Sequence, residues 1–414
     1  MASARAVALS SLLFTGALTA GLDVWADTGS VSLAKVVALA AEHSPELRAL
    51  AATAAVSGGE ARDEATLRAA VLAASGQWPS GAHRGDTSGE YEVSVGQPLR
   101  LGDLNGQRRA VADRAVGVAA AEQSAGRAVF NAEVGVLFAE VAALEDVQRQ
   151  LEGLRWRARD VAARIGRAGA QASLQASERA LLEAARHEMT AADTELSVRI
   201  AGARANLERR LGAALPPGRL MVAPIPPIGA IETATRDIVG HSSGLPARLE
   251  AQSALARARA HLAASERRGD FTPQIVYRRA DDGTDFLGIG IEVPLPVWGS
   301  ENAGARAGLE SAAVSSERAA DVARSPVFER YVTGLVTVYD KRQRRAAILA
   351  SEVVPALERA ADLAAREVEA GQTTVGQYLQ ITAQLREAVL DSVGAYIEAV
   401  AAREELGVLR GEPL

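Results

Sequence analysis

The chain has 414 residues, 45 Lys and Arg against 51 Asp and Glu, a net charge of −6 and no cysteine. The missing cysteine excludes disulfides, thiolate metal sites, thiol nucleophiles and a lipid anchor on an N-terminal Cys, and the slightly acidic balance gives no electrostatic footprint for nucleic acid. Hydrophobic residues make up 48% but aromatics only 4%, so the apolar content is mostly Ala, Leu and Val, which suits closely packed helices better than a bulky globular core.

Residues 1–26 read as a secretory signal peptide. Arg5 precedes an apolar run over 6–22, Val24 and Ala26 stand at the −3 and −1 positions, and Asp27 would begin the mature chain. A membrane anchor fits less well, because Ser, Thr and Gly interrupt the run and no stop-transfer flank follows. No later stretch offers the ~18 uninterrupted apolar residues of a spanning helix.

Next, His43-Ser44-Pro45 reads as a turn entering a helix. A weakly marked strand over 67–78 and a clear one over 88–97 flank a Gly-, Asp- and Ser-rich loop at 79–87, a hairpin signal. A long helix is expected over 103–165, about 90 Å at ~1.5 Å per residue. Its Phe130, Leu137, Leu144 and Leu151 recur every seven residues, with Val134 and Val141 between them, which is an a/d seam. After a second helix and a segment with Pro216-Pro217 and Pro226-Pro227, the order repeats. His241-Ser242 precedes a helix, strands follow over 271–278 and 285–295 around a turn at 280–284, and the last helices carry Val354, Leu357, Ala361, Ala364 and Val368 at spacings of three and four. Pro45 and Pro246, Pro98 and Pro294, and Gly169 and Gly371 are each about 200 residues apart, in the same order. A tandem duplication follows: 27–225 as the first repeat and 226–414 as the second.

The strands alternate. Tyr91, Val93 and Val95 oppose Glu92, Ser94 and Gly96; Ile275 and Tyr277 share one side of their strand; Leu287, Ile289, Ile291 and Val293 oppose Gly288, Gly290 and Glu292. Two hairpins capping a helical protein would explain this. So would a membrane barrel wall, apolar outside and small or polar inside. Four strands cannot close a barrel, for which ~8 is the minimum; three chains would supply twelve.

An exported, cysteine-free, twice-repeated chain of long helices and hairpins resembles the TolC-like outer-membrane factors. The ordered motifs are Ser32-Leu33 through Ser44-Pro45-Glu46-Leu47, Gln97-Pro98-Leu99 to Gly102, Val293-Pro294-Leu295-Pro296-Val297 with Gly299 and Asn302, and Val368-Glu369-Ala370-Gly371 through Leu379. The Pro-Leu-Pro copy is most similar to the heavy-metal cation efflux branch. The resemblance implies a mainly α fold with a small β part: a homotrimer whose long coiled-coil helices form an α-barrel in the periplasm, below a twelve-stranded transmembrane β-barrel in outer-membrane lipid. It implies an adaptor (membrane fusion) protein and an inner-membrane resistance-nodulation-division type pump as partners. It places two periplasmic tip turns at 166–173 and 370–376, with Arg167, Gly169, Gln171, Ser173, Gly371, Gln372, Thr373 and Thr374 meeting the adaptor, and a belt at 215–243. Where members often carry Asp at the aperture, this chain has Gln377 and Gln380, so a neutral amide constriction is expected. Ser325-Pro326 breaks a helix that in the family runs on, since Pro removes a donor and clashes with the preceding turn.

No catalytic constellation, cofactor motif or metal cluster is expected. Ser44 and Ser242 follow His at equivalent repeat positions, where capping explains Ser and the turn explains His. His83, His187 and His261 are isolated. Asp281-Asp282 precedes Gly283 as a turn signal, Gly288-x-Gly290 lies in a strand and does not open a helix, and Arg342, Arg344 and Arg345 suit a solvated helix face. The function expected is passive conduction of a pump's cargo from the periplasm of a Gram-negative bacterium to the exterior, divalent heavy-metal cations being favoured. Drug efflux or type I protein secretion is the alternative within this class, and a soluble periplasmic coiled-coil protein the alternative outside it.

Overall fold

The structure is a computed structural model that describes residues 30–65, 70–77, 90–100, 104–168, 176–241, 244–265, 270–280, 282–293 and 301–411. The proposed signal segment, the loop at 79–87, Ser242 and Asp281 lie outside them.

A two-residue strand β1 (Ser30–Val31) leads into α1 (Leu33–His43), whose N-cap Ser32 accepts a bond from the Lys35 amide. The buried Ser44 then caps α2 (Pro45–Ala65) by accepting from the Leu47 amide at 3.4 Å, with Pro45 at the first helical position. Strands β2 (Val71–Gln77), β3 (Glu90–Gly96) and the two-residue β4 (Leu99–Arg100) follow. The long helix expected over 103–165 is α3 (Leu104–Ala168), 65 residues and about 100 Å. It returns through α4 (Ala176–Leu211).

Helix α4 ends at Gly212, whose φ of 72° suits glycine; a Cβ there would come within 2.9 Å of the His43 carbonyl oxygen. The chain then forms β5 (Arg219–Leu220), parallel to β1, and an extended strap over 221–230. The same order of parts follows: α5 (Ile231–His241), α6 (Gly244–Ser265), β6 (Asp270–Arg279) and β7 (Asp285–Glu292). The counterpart of α3 is broken into α7 (Glu301–Ala323), α8 (Pro326–Ile348), a π-helical turn (Leu349–Val353) and α9 (Val354–Glu369), before α10 (Val375–Arg410). The break at Ser325-Pro326 is as expected: Ser325 becomes the N-cap of α8 and accepts from the Val327 amide. The π-turn was not anticipated. Pro355 explains it, because a proline offers no N–H to the carbonyl four residues back and its ring crowds that carbonyl.

Apart from β1 and β5, the strands form one antiparallel sheet in the order β2-β3-β6-β7, with β4 also paired to β6. The hairpins are β2–β3 and β6–β7, and β3–β6 joins them with Val93 opposite Tyr277 and Val95 opposite Ile275. β4 continues the β3 register, Leu99 facing Phe271, after an interruption at Gln97-Pro98. The helices beside the sheet follow the same order: α2 packs on α3, α3 on α6 and α6 on α7. Farther along, α4, α3, α10 and then α8 and α9 are successive neighbours.

The a/d seam lies in the core. Phe130, Val134, Val141 and Leu144 are buried with Phe138 and Val147, against Leu196, Ile200, Leu207 and Leu211 of α4 and Leu385 and Val389 of α10, while Leu137 and Leu151 pack at its margin. Val354, Ala361, Ala364 and Val368 are buried likewise. A separate cluster places Ile225, Ile228 and Ile238 on Phe328, Val332, Val336 and Tyr339 of α8 and Leu406 of α10. The Tyr339 hydroxyl donates to the Pro226 carbonyl at 2.7 Å and the Tyr396 hydroxyl to that of Ala223 at 2.9 Å, so the strap is fastened across two helices.

Candidate functional site

The sheet register sorts its side chains onto two faces. One carries Leu72 and Ala74, then Tyr91, Val93 and Val95, then Ile275 and Tyr277, then Leu287, Ile289 and Ile291. Val293 follows beyond the end of β7. This face is apolar and open: Leu287 is 79% exposed, Ile289 88% and Ile291 65%. An apolar surface of this extent on a solvated sheet calls for a cover. The opposite face carries Ala73, Ser75, Glu92, Ser94, Thr272, Gln274, Arg278, Gly288, Gly290 and Glu292, with Val71, Val276 and Phe286 as its apolar members. There Gly96 and Gly290 make room for their neighbours, since a Cβ on Gly96 would fall 2.7 Å from the Thr272 methyl. Polar groups pair at one end of the sheet. Arg278 bonds Glu90, and the Tyr277 hydroxyl donates to Asp285 at 2.8 Å, with the Tyr91 ring 6.1 Å from that of Tyr277.

Among the described residues β2 pairs only with β3 and β7 only with β6. Each has a free edge. The helices α2 and α7 are the two ends of the packed row α2, α3, α6, α7.

At the opposite end of the helices, α9 turns into α10. Gly371 has φ 71°, its amide bonds the Val368 carbonyl, and the Gln372 amide bonds that of Glu367 at 2.8 Å, closing α9. Thr374 caps α10 by accepting from the Gln377 amide, and the Thr373 hydroxyl donates to the Gln377 side-chain carbonyl at 2.8 Å. Gln377 is thus tied to the turn, and Gln380 is exposed one turn on. Beneath them Val368, Val375 and Tyr378 pack on Val161 of α3; burial raises the Tyr378 hydroxyl pKa above its ordinary value. Of the other tip, Arg167 lies in the last turn of α3, and Gly169, Gln171 and Ser173 are outside the described residues.

Sequence reasoning missed the ties between these helices. Arg157 of α3 reaches Glu358 and Asp362 of α9, both at 3.4 Å, Arg164 reaches Glu369 at 3.1 Å, and Arg386 of α10 reaches Glu188 of α4 at 2.6 Å. Their partners lie some 200 residues away, so nothing local marks them. Leu72 and Ala74 were missed because the β2 sequence, with Ala, Ser and Gly, alternates weakly.

The remaining candidates stay local. His43 is exposed beside Glu42, and His187 and His261 are exposed on their helices. The Thr284 hydroxyl, and then its amide at 2.8 Å, donate to the Asp282 carboxylate and lower its pKa, and Gly283 takes φ 83° in a turn. Arg342 is half-buried and Arg344 and Arg345 are exposed; Arg342 and Arg345 lie 3.9 Å from Glu398, and Arg344 pairs with Asp340 at 3.1 Å. Among the described residues, no group of three or more His, Asp or Glu is placed to hold a metal, and no helix is long and apolar enough to cross a membrane.

No protein-family model matches the sequence, and no curated protein matches it. Solved structures do match. The outer membrane protein VceC of Vibrio cholerae is 17% identical, with a TM-score of 0.73 over 92% of this chain and 96% of that one. A membrane protein from Pseudomonas aeruginosa is 16% identical, with a TM-score of 0.73 over 92% and 90%. The open state of the MtrE outer membrane channel of Neisseria gonorrhoeae is 16% identical, with a TM-score of 0.69 over 92% and 89%. The chain has the fold of these membrane proteins. It is mainly α with a small β part, long helices carrying one four-stranded sheet.

Proposed function

We propose that this protein is a TolC-like outer-membrane channel of a tripartite efflux system and that it works as a homotrimer. The carrying observation is the sheet, apolar and exposed on one face, mostly polar or small on the other, with a free edge on each side among the described residues. Such a sheet is stable when its edges pair and lipid covers its apolar face. Edges at opposite sides of one chain make the contact head-to-tail, and a head-to-tail contact that closes makes a ring. Three copies give twelve strands, enough for a barrel. The barrel-wall residues Tyr91, Val93, Val95, Ile275, Tyr277, Leu287, Ile289, Ile291 and Val293 then face lipid, and Ser94, Gln274, Gly288 and Gly290 face the lumen.

The helices continue the tube into the periplasm. The two tip turns, with Arg167, Gly169, Gln171, Ser173, Gly371, Gln372, Thr373 and Thr374, meet an adaptor protein that joins the channel to an inner-membrane resistance-nodulation-division type pump. Gln377 and Gln380 border the aperture, and the strap belongs to a belt around the helices. The protein contributes no catalysis; cargo passes through water and the pump supplies the energy. Residues 1–26 direct export, and 27–225 and 226–414 are copies of one ancestral unit. The Pro-Leu-Pro motif at 294–296 favours divalent heavy-metal cations as cargo; drug efflux or type I secretion would use the same duct.

Expressed with its leader in a Gram-negative host, the protein is expected in the outer-membrane fraction, soluble only with detergent, at the mass of three chains. A single water-soluble copy that binds no detergent would overturn this reading. For the cargo, the strain lacking the gene is expected to be sensitive to cobalt, zinc, cadmium or copper salts; unchanged tolerance of all four would remove the metal assignment and leave the channel.

A further inference from the structure

A cavity of about 560 Å³ lies between α3, α4 and the start of α10. Its floor is apolar, built from Ala158 and Ala162 of α3, Leu182, Ala185 and Met189 of α4 and Leu379 of α10. Alanine at 158, 162 and 185 leaves the space open, because facing methyl groups do not reach across a gap that larger side chains would fill. The charged part of the lining is wholly cationic: Arg155, Arg159 and Arg186. Arg155 is matched by Asp193 of α4 at 2.8 Å. Arg159 and Arg186 are exposed, and among the described residues neither guanidinium has an acid or a hydrogen-bond partner. Asp160 is taken by Arg164 at 2.7 Å and Glu188 by Arg386 at 2.6 Å, and Glu183, one turn before Arg186, does not line the cavity. The Arg155–Asp193 pair fixes the register of these antiparallel helices. It sets Arg186 about level with Ala162, roughly 5 Å along the axis from Arg159.

We propose that this cavity binds an organic anion with an apolar body, such as a medium-chain fatty acid, with its carboxylate between Arg159 and Arg186 and its chain on the alanine floor. The site is built by one chain and stands apart from the channel reading. Two guanidiniums within a turn of each other repel, and a carboxylate between them replaces that repulsion with charge-assisted hydrogen bonds. A cation or an alcohol of the same length gains the apolar contact alone. An inorganic anion meets the same arginines but leaves the floor in water. The volume and the mainly apolar lining with a few polar groups match those of small-molecule sites. Arg155 stays with Asp193 and adds no free charge.

The absence of cysteine allows a direct test on the full-length protein in uncharged detergent. Ala162→Cys places the only thiol in the cavity, and its rate of reaction with N-ethylmaleimide reports occupancy. Decanoate is titrated, and at about ten times its dissociation constant it is expected to slow that rate about ten-fold. Decylammonium, decanol and acetate at the same concentration are expected to leave the rate nearly unchanged. Arg159→Gln combined with Arg186→Gln is expected to abolish the protection, each rate being compared with that of the same variant without ligand. A thiol at Trp156→Cys, exposed and outside the cavity, is expected to react at one rate throughout. In the cysteine-free protein, decanoate is expected to raise the melting temperature, and the two Gln substitutions to remove that rise. Should Ala162→Cys not fold, this second comparison decides. The site is overturned by equal protection from decanol, decylammonium or acetate, by protection that survives both Gln substitutions, or by none at the highest soluble decanoate concentration.

Discussion

The carboxyl group of Glu404 on α10 lies against Gly135 on α3, so close that a Cβ at Gly135 would stand 3.1 Å from the Glu404 Cδ. Glu404 is only 6% exposed. Burial raises its carboxyl pKa above the ordinary value near 4.5, with Arg403 opposing. An acid whose pKa is raised on folding contributes its stability fully below the unfolded value and loses it as pH rises through the folded one. Glu404→Gln keeps the shape and removes the titration. Melting temperatures measured from pH 4 to pH 8 are expected to favour the Gln variant increasingly above about 4.5. Parallel curves for the two proteins would contradict this. Gly135→Leu, which overpacks the same contact, is expected to cost about 1–3 kcal/mol.

Gly371 occupies the left-handed region, where a side chain is penalised by about 1–2 kcal/mol. Replacement by Val is expected to distort the tip turn, abolish export and leave trimers intact. Normal export by Gly371→Val, measured as cargo tolerance in cells, would show that the turn is not where the pump assembly engages.

Ile289 and Ser94 point to opposite faces of the sheet. A lysine at Ile289 would have to enter lipid, at a cost of about 2–4 kcal/mol near the midplane, and is expected to deplete the protein from outer membranes. Ser94→Asp on the water side is expected to be tolerated. Equal fractionation of the two variants would remove the inside–outside assignment.

The Tyr339–Pro226 bond is partly buried and joins the strap to α8. Tyr339→Phe leaves a carbonyl short of its donor, with an expected loss of about 1–3 kcal/mol in thermal unfolding. Arg344→Ala, which removes the 3.1 Å partner of the buried Asp340 carboxylate, is expected to cost about 1–3 kcal/mol.

What could be read without coordinates was whatever repeats along the chain. The seven-residue spacing of Phe130, Leu137, Leu144 and Leu151 and the alternation from Leu287 to Ile291 place helix and strand correctly because each is a local period. β4, β1 and β5 are only two residues each and are defined by partners far away in sequence, Phe271 for Leu99 and Arg219 for Ser30. The π-turn could have been suspected from Pro355 within an otherwise continuous helical pattern. The ion pairs of Arg157 and Arg164 with α9 depend on how two helices 200 residues apart are aligned, which no local rule supplies.

The pairing of β3 with β6 has an evolutionary corollary. Either half expressed separately would expose a raw seam where Val93 and Val95 now meet Tyr277 and Ile275, and α3 would be stripped of α10. On the duplication we propose, six copies of a lone ancestral unit would have been needed to enclose the same bore. Fusion of two such units would halve that number and make every second junction permanent, so that a frameshift past the midpoint should leave no partly working product.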